Sequence, residues 1–460
     1  MLSFVLVPLY TRVMAPGLYG QVSIIFSYFV LLNVIVAYGM ETAFFRFFTR
    51  ETQKQKVVNT AAVSILVSSI VFFLLAFLFQ NQIAFITEVE VAYIRLILWI
   101  LLLDALVIIP FAWLRARELP MRYAIIKILN VAINLGLNVF FLVYLRQIAA
   151  EVPVLNAIYR ENYEINYIFI SNVIASALTL IILIPFYRKI TYTFDKQLWN
   201  KMMKYAIPIL IAGVAYSINE TFDRILLGRL LPDTVAEYEV GVYSACYKLA
   251  LFMTLFATAF RLGIEPFFFN YAKNKNAPET YARITKYFVV LGSVIFLGVI
   301  VFIDVLKRLI DQEYWIALGI VPLILLANFC LGIYHNLSVW YKITDRTKFG
   351  AYISIVGAII TLVLNFVLIP VYSYWGSAIA TLAAYATMMI VSWYFGRKYY
   401  PIPYDLIRIG GYITLSVLFA VLSFYAFNSN YAVSIALLGV FLVILYFGER
   451  AEVKQLLSNK

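Results

Sequence analysis

The sequence predicts an all-α integral membrane protein of about fourteen transmembrane helices, the first incomplete, with two pseudosymmetric six-helix lobes around a central cavity and a C-terminal helix pair. Three observations carry this expectation. Of 460 residues, 64% are hydrophobic and 13% charged, too little polar side chain to clothe a water-soluble body of that size, so lipid must cover the remainder. Apolar stretches of about twenty residues recur along the chain, each long enough to cross a bilayer as a helix. Finally, short segments of the first half recur in the second at a nearly constant offset, the mark of an internal repeat.

In chain order, Met1–Tyr10 is an apolar run of about half the required length. It lacks the basic leader and cleavage site of a signal peptide and reads as the outer half of a first helix. Apolar cores continue at 21–45, 57–79, 91–113, 121–144, 165–186, 203–224, 240–265, 284–303, 315–335, 350–370, 374–395, 406–427 and 431–447. No loop between them exceeds roughly two dozen residues, which leaves no room for a folded soluble domain. Cys246 and Cys330 both fall inside apolar runs and read as small apolar filler, not as a disulfide.

Lysine and arginine set the expected orientation. Alternate loops, starting with Arg46–Lys56 and ending with the C-terminal tail, hold 25 of the 36 basic residues, and the intervening loops hold 7. The richer set belongs in the cytoplasm, together with the C-terminus. This asymmetry accounts for most of the net charge of +12. Attraction to anionic lipid headgroups is a secondary consequence, and no nucleic-acid partner is needed.

The repeat rests on three pairs of segments. Gly20-Gln-Val-Ser23 matches Gly241-Val-Tyr-Ser244, Glu41 before Phe44-Phe45 matches Glu265 before Phe267-Phe268, and Leu135-Gly-Leu-Asn138 matches Leu362-Val-Leu-Asn365. An even number of crossings per half gives both halves one orientation and a pseudo-twofold axis along the membrane normal. The lobes are expected at 1–195 and 196–399, with 20–186 superposing on 203–395, and the helix pair with its tail at 400–460.

Asp223-Arg224-Ile-Leu-Leu-Gly228 leading to Val240-Gly-Val-Tyr-Ser-Ala245, Leu364-Asn-Phe-Val-Leu-Ile-Pro370 and Gly376-Ser-Ala-Ile-Ala-Thr381 together resemble the polysaccharide transporter family. Pro8-Leu-Tyr-Thr-Arg12 and Leu18-Tyr-Gly20 fit that family's first loop. The family includes lipid-linked oligosaccharide flippases, within the superfamily that also holds multidrug exporters and lipid II flippases. The resemblance implies two lobes in a V around a cavity, no cofactor, and an undecaprenyl diphosphate oligosaccharide as cargo. The product would be O-antigen, capsule or exopolysaccharide, made across a bacterial inner membrane. A proton, sodium or the membrane potential are its candidate driving forces.

Ionisable residues within apolar spans are rare and mark cavities or internal pairs. Asp104 and Lys127 fall at similar depth in adjacent helices, expected as an ion pair tying a hairpin or in a cargo or ion-coupling role. Arg95 sits near a membrane boundary, where its side chain snorkels. Glu41, Arg46, Arg261 and Glu265 lie at matching helix ends of the two halves, as a gate of salt bridges or as solvated termini. Lone His335 makes no metal site, and Asn134, Asn138 and Asn365 are expected to hydrogen-bond between helices. The sharpest candidates are Asn219, Glu220, Asp223, Arg224 and Lys248, with Glu220 and Asp223 on one helical face positioned to meet Lys248. There Lys248 and Arg224 would attract a diphosphate while a carboxylate competes for them; a static lock between two helices is the other reading.

Three function classes are compatible with a chain of this kind. A flippase agrees with the repeat, the cationic interior and the lack of a catalytic domain. A drug or cation exporter of the same superfamily would favour carboxylates and aromatic faces in its cavity. A polysaccharide polymerase, ligase or glycosyltransferase would need a sizeable external loop or soluble domain carrying acid or base residues, and no catalytic residue is assigned.

Overall fold

In the computed structural model, residues 5–149, 151–272, 274–427 and 429–458 are described. Among them every regular element is helical. With no water to satisfy peptide groups in hydrocarbon, a long apolar segment must close its hydrogen bonds internally, and the helix does this within one segment.

A short helix, α1 (Val7–Val13), opens the described chain; residues 1–4 of the half-helix expected at Met1–Tyr10 lie outside the described residues. The first full-length span is α2 (Pro16–Ala37), which turns at Tyr38-Gly39 into α3 (Met40–Arg50). Next come α4 (Lys54–Leu78), a short α5 (Gln80–Thr87), α6 (Val91–Ala116), α7 (Pro120–Ile148), α8 (Glu164–Tyr187) and α9 (Lys196–Leu230). The second half holds α10 (Asp233–Leu249), α11 (Leu251–Tyr271), α12 (Ala277–Val301), α13 (Gln312–Ile343), α14 (Lys348–Tyr372) and α15 (Tyr374–Tyr399). The chain closes with α16 (Leu406–Ala426) and α17 (Tyr431–Ser458). Among the described residues twelve helices are long and apolar enough to cross a membrane, and the bent pair α10 and α11 makes up to thirteen. Each overlaps one apolar core read from the sequence.

The chain divides into two compact units, Met1–Ile225 and Leu226–Lys460. The division falls inside α9, whereas the sequence reading opens its second lobe at 196. The physical reason is packing: Leu198, Met202 and Ala206 of α9 are buried in one core with Met40, Phe44, Ala61, Ala112 and Phe186 of the first unit. In the second unit Trp340, Ile353, Ala384, Tyr385 and Met388 form a core across α13, α14 and α15.

Helix ends obey local chemistry. Prolines occupy the first turn of α2 and α7, where the missing N–H costs nothing. Asp195 and Asp405 accept from the backbone N–H three residues on, Leu198 at 2.9 Å and Arg408 at 3.1 Å, and so cap α9 and α16. Gly39 carries φ +69°, and a Cβ there would meet the Ala206 carbonyl oxygen at 2.7 Å. Only glycine permits both the left-handed turn and the approach of α9.

The internal repeat appears in local geometry that the sequence reading overlooked. Trp113-Leu-Arg-Ala-Arg-Glu118 and Trp340-Tyr-Lys-Ile-Thr-Asp345 close α6 and α13. Glu118 and Asp345 both adopt the left-handed conformation, φ 57° and 56°. The next residue bonds back to a helical carbonyl in each, Leu119 to Leu114 at 3.0 Å and Arg346 to Tyr341 at 2.8 Å, the geometry of a Schellman turn. Asn138 and Asn365 likewise donate to the carbonyls four residues earlier, Asn134 at 2.8 Å and Thr361 at 2.6 Å. Each asparagine oxygen then joins two helices, accepting from Tyr10 at 2.9 Å and from Ser377 at 2.8 Å.

Candidate functional site

In the first unit buried polar side chains join α7 to α1, with Tyr19 of α2 nearby, and a second group lies on α9. Asn138, held by Asn134, accepts from the Tyr10 hydroxyl. The Tyr10 ring lies 6.4 Å from that of Tyr19 on α2. Arg224 and Asp223 are 7% and 2% exposed and pair at 2.9 Å. Neighbouring residues on a helix point apart; the pair closes because the long arginine folds back, donating also to the Glu220 carbonyl at 2.8 Å. Asn219 is buried and Glu220 half-buried on the same helix. This arrangement places a cation and polar donors where hydrocarbon would otherwise exclude them. Lys248 is half-buried in the last turn of α10, in the second unit. Tyr10 and Tyr19 were not among the sequence candidates, because nothing in a tyrosine's spacing shows which helix it faces.

Asp104 and Lys127 do not form the direct ion pair expected of them. Asp104 instead accepts from the Ser176 hydroxyl of α8 at 2.7 Å, and the Lys127 ammonium lies 4.2 Å from the centre of the Phe111 ring. Equal depth on adjacent helices did not fix their rotation about the helix axes. Arg95 donates to Gln80 at 2.7 Å on an exposed face, consistent with a boundary position.

The four residues at matching helix ends are held within their own units. Glu41 pairs with Arg115, and Glu265 pairs with Lys342 at 2.6 Å. Arg115 and Lys342 hold the same place, two residues after the tryptophan, in the two Trp-containing turns, so the same acid-to-base bridge joins corresponding helices in each half. Arg46 stacks 4.1 Å from the Tyr205 ring of α9. Arg261 lines a small cleft with Glu265, Lys342 and the half-buried His335. The partners Arg115 and Lys342 were legible in the sequence as a fourth repeated segment.

A further charged cluster, absent from the sequence candidates, fixes the C-terminal pair to α12 within the second unit. Lys286 of α12 is buried and binds Glu449 at 2.7 Å, and also Glu452. Arg283 reaches Glu452 at 3.2 Å, and Arg408 of α16 reaches Glu449 at 3.5 Å. In the first unit the corresponding positions, Lys56 and Asn59, hold the segment after α8: Lys56 pairs with Asp195 at 2.6 Å, and Asn59 donates to Thr193 at 3.0 Å. Cys246 and Cys330 are buried free thiols.

With this geometry in place, comparison with known proteins is decisive for the family. The family described as polysaccharide biosynthesis protein matches residues 1–270, more than half of the chain. The protein belongs to that family. The MatE family also matches residues 208–367. No curated protein matches. Among solved structures, the lipid II flippase MurJ in an inward closed conformation is similar at 14% identity, covering 97% of this chain and 99% of its own, with a TM-score of 0.65. An inward-facing multidrug resistance MATE transporter of the MOP superfamily is similar at 12% identity, over 87% and 92% of the two chains, TM-score 0.62. A Vibrio cholerae MATE transporter is similar at 15% identity, over 86% and 92%, TM-score 0.59. This member of the polysaccharide biosynthesis family therefore has the multi-pass fold of the MOP transporters and flippases, which are not enzymes.

Proposed function

We propose that this protein is a flippase that moves an undecaprenyl-diphosphate-linked oligosaccharide across a bacterial inner membrane, for O-antigen, capsule or exopolysaccharide synthesis. The observation that carries the reading is the family match over residues 1–270. The likeness of fold to a flippase named for lipid II supports it. In this reading the C-terminus is cytoplasmic, in line with the Lys and Arg asymmetry. Arg224 and Lys248 attract the diphosphate of the cargo. Glu220 and Asp223 compete for the same cations, so that carboxylate and cargo alternate through the cycle, and Asn219 donates to the sugar or phosphate. The bridges Glu41 to Arg115 and Glu265 to Lys342, with Arg46 and Arg261 beside them, act as closures at one membrane face. Asp104 and Lys127 serve coupling to a proton or sodium.

The MatE match over residues 208–367 favours a second reading, an exporter of drugs or organic cations. A deletion strain separates the two. The flippase reading expects lipid-linked saccharide to accumulate on the cytoplasmic leaflet, with surface glycan lost and drug susceptibility unchanged. Normal glycan with raised drug susceptibility would replace it by the exporter. Lys248→Ala and Glu220→Gln are expected to abolish glycan export at normal protein abundance; full export by both would remove these residues from the mechanism.

A further inference from the structure

The first unit carries a groove that the transport reading does not use. Between α6, α7 and α8 a trough of about 350 Å³ is floored by Trp113, Leu183 and Phe186 and rimmed by Arg122 and Lys189. Pro110 and Pro185 line it, each inside its helix, where a proline ring removes a backbone bond and forces neighbouring turns apart. Its wall includes Ile125, 58% exposed, so the trough faces the surroundings of the first unit. Both rim cations are exposed, and no described carboxylate lies within ion-pair distance of either. Arg117 adds a third positive charge, its guanidinium 5.6 Å from the Trp113 ring.

We propose that this groove is a binding site for one anionic membrane phospholipid. The complementarity is specific to that chemistry. An acyl chain fills an apolar trough that water would wet poorly, and a phosphate headgroup meets Arg122 and Lys189 at its mouth, where guanidinium and ammonium bind phosphate oxygens best. Arg122 and Lys189 belong to the helix ends with the Lys and Arg excess, the ends that meet anionic headgroups in a bilayer. A basic pocket between transmembrane helices is a recognised form of anionic-lipid site.

The test is native mass spectrometry of the full-length protein released from vesicles of equal parts phosphatidylglycerol and phosphatidylethanolamine. The wild type is expected to retain phosphatidylglycerol preferentially, by roughly five-fold per cation and about thirty-fold for the pair. Arg122→Ala with Lys189→Ala is expected to lose that preference, Arg122→Lys to keep it, and Lys201→Ala, a charge removed on α9, to leave it unchanged. Ile125→Trp keeps every charge while filling the trough, and is expected to lose the lipid; it also serves if the double variant does not fold. Undiminished retention by the double variant or by Ile125→Trp overturns the proposal. Displacement by inorganic phosphate would reassign the site to a free anion, and displacement by a polyprenyl diphosphate would reassign it to the cargo.

Discussion

Asp223 shows how much a single side chain in this interior carries. Its carboxylate pairs with Arg224 and also accepts that residue's backbone N–H at 2.9 Å. Asp223→Ala takes this carboxylate from a guanidinium that is 7% exposed, and breaking a buried pair from one side costs about 3–5 kcal/mol. Thermal unfolding in detergent is expected to show that loss, with part of it recovered when Arg224→Met is added; a variant as stable as the wild type would show that other groups carry the charge. Asp195 is a contrasting case in the linker before α9. Hydrogen bonding from Lys56, and then from the Leu198 N–H, holds its carboxyl below the usual carboxylate range. A group depressed on folding stabilises above its unfolded pKa and loses that contribution as pH falls through the folded value. The stability difference between wild type and Asp195→Asn is therefore expected to be constant at neutral pH and to shrink below about pH 4. A difference that grows on acidification would contradict the assignment.

Among the elements, the turns decide where helices stop and how closely they approach. At Gly39, a left-handed φ coincides with a contact to α9 that leaves no room for a Cβ. Gly39→Ala is expected to lower stability by about 1–3 kcal/mol, whereas Gly439→Ala, with no atom within 4 Å of the added carbon, is expected to be neutral or stabilising by up to about 1 kcal/mol. Equal effects at the two sites would show that α9 does not press on the α2–α3 turn. The Trp-containing turns at the ends of α6 and α13 matter differently, because each positions the base that meets Glu41 or Glu265. Glu265 and Lys342 are partly exposed, so a double-mutant cycle on the pair is expected to give a coupling below about 1 kcal/mol. Charge reversal at both positions together should recover whatever either reversal alone removes. A negative result there would mean that the bridge is incidental.

Across the whole molecule, each unit uses matching helix positions to hold the segment beyond its last lobe helix: Lys56 and Asn59 hold the linker into α9, and Arg283 and Lys286 hold the acidic turn of α17. Lys286→Met leaves Glu449 buried without its ammonium, so the C-terminal pair is expected to undock. Faster proteolysis between α16 and α17, and faster hydrogen exchange in α17 than in α14, would register it. Unchanged protection of α17 would mean that its apolar face alone holds it.

The existence and approximate place of the spans could be read from the residues alone, because these depend on hydrocarbon thickness and the internal satisfaction of peptide groups, both properties of a local window; their count, about fourteen expected against twelve or thirteen among the described residues, and their exact ends could not. The repeat was equally legible through Asn138 and Asn365 and through Glu41 and Glu265, since a repeated fold leaves repeated residues. Rotation of each helix about its axis was not. Two residues at one depth, such as Asp104 and Lys127, meet or miss according to how their helices are turned, and only packing against α8 sent Asp104 to Ser176. The same holds for α9, whose apolar stripe could serve either unit until Leu198, Met202 and Ala206 were seen buried against Met40 and Phe44. Folding also chose the partners of Lys286, because an acid more than a hundred and fifty residues away leaves no periodic trace beside the base it neutralises.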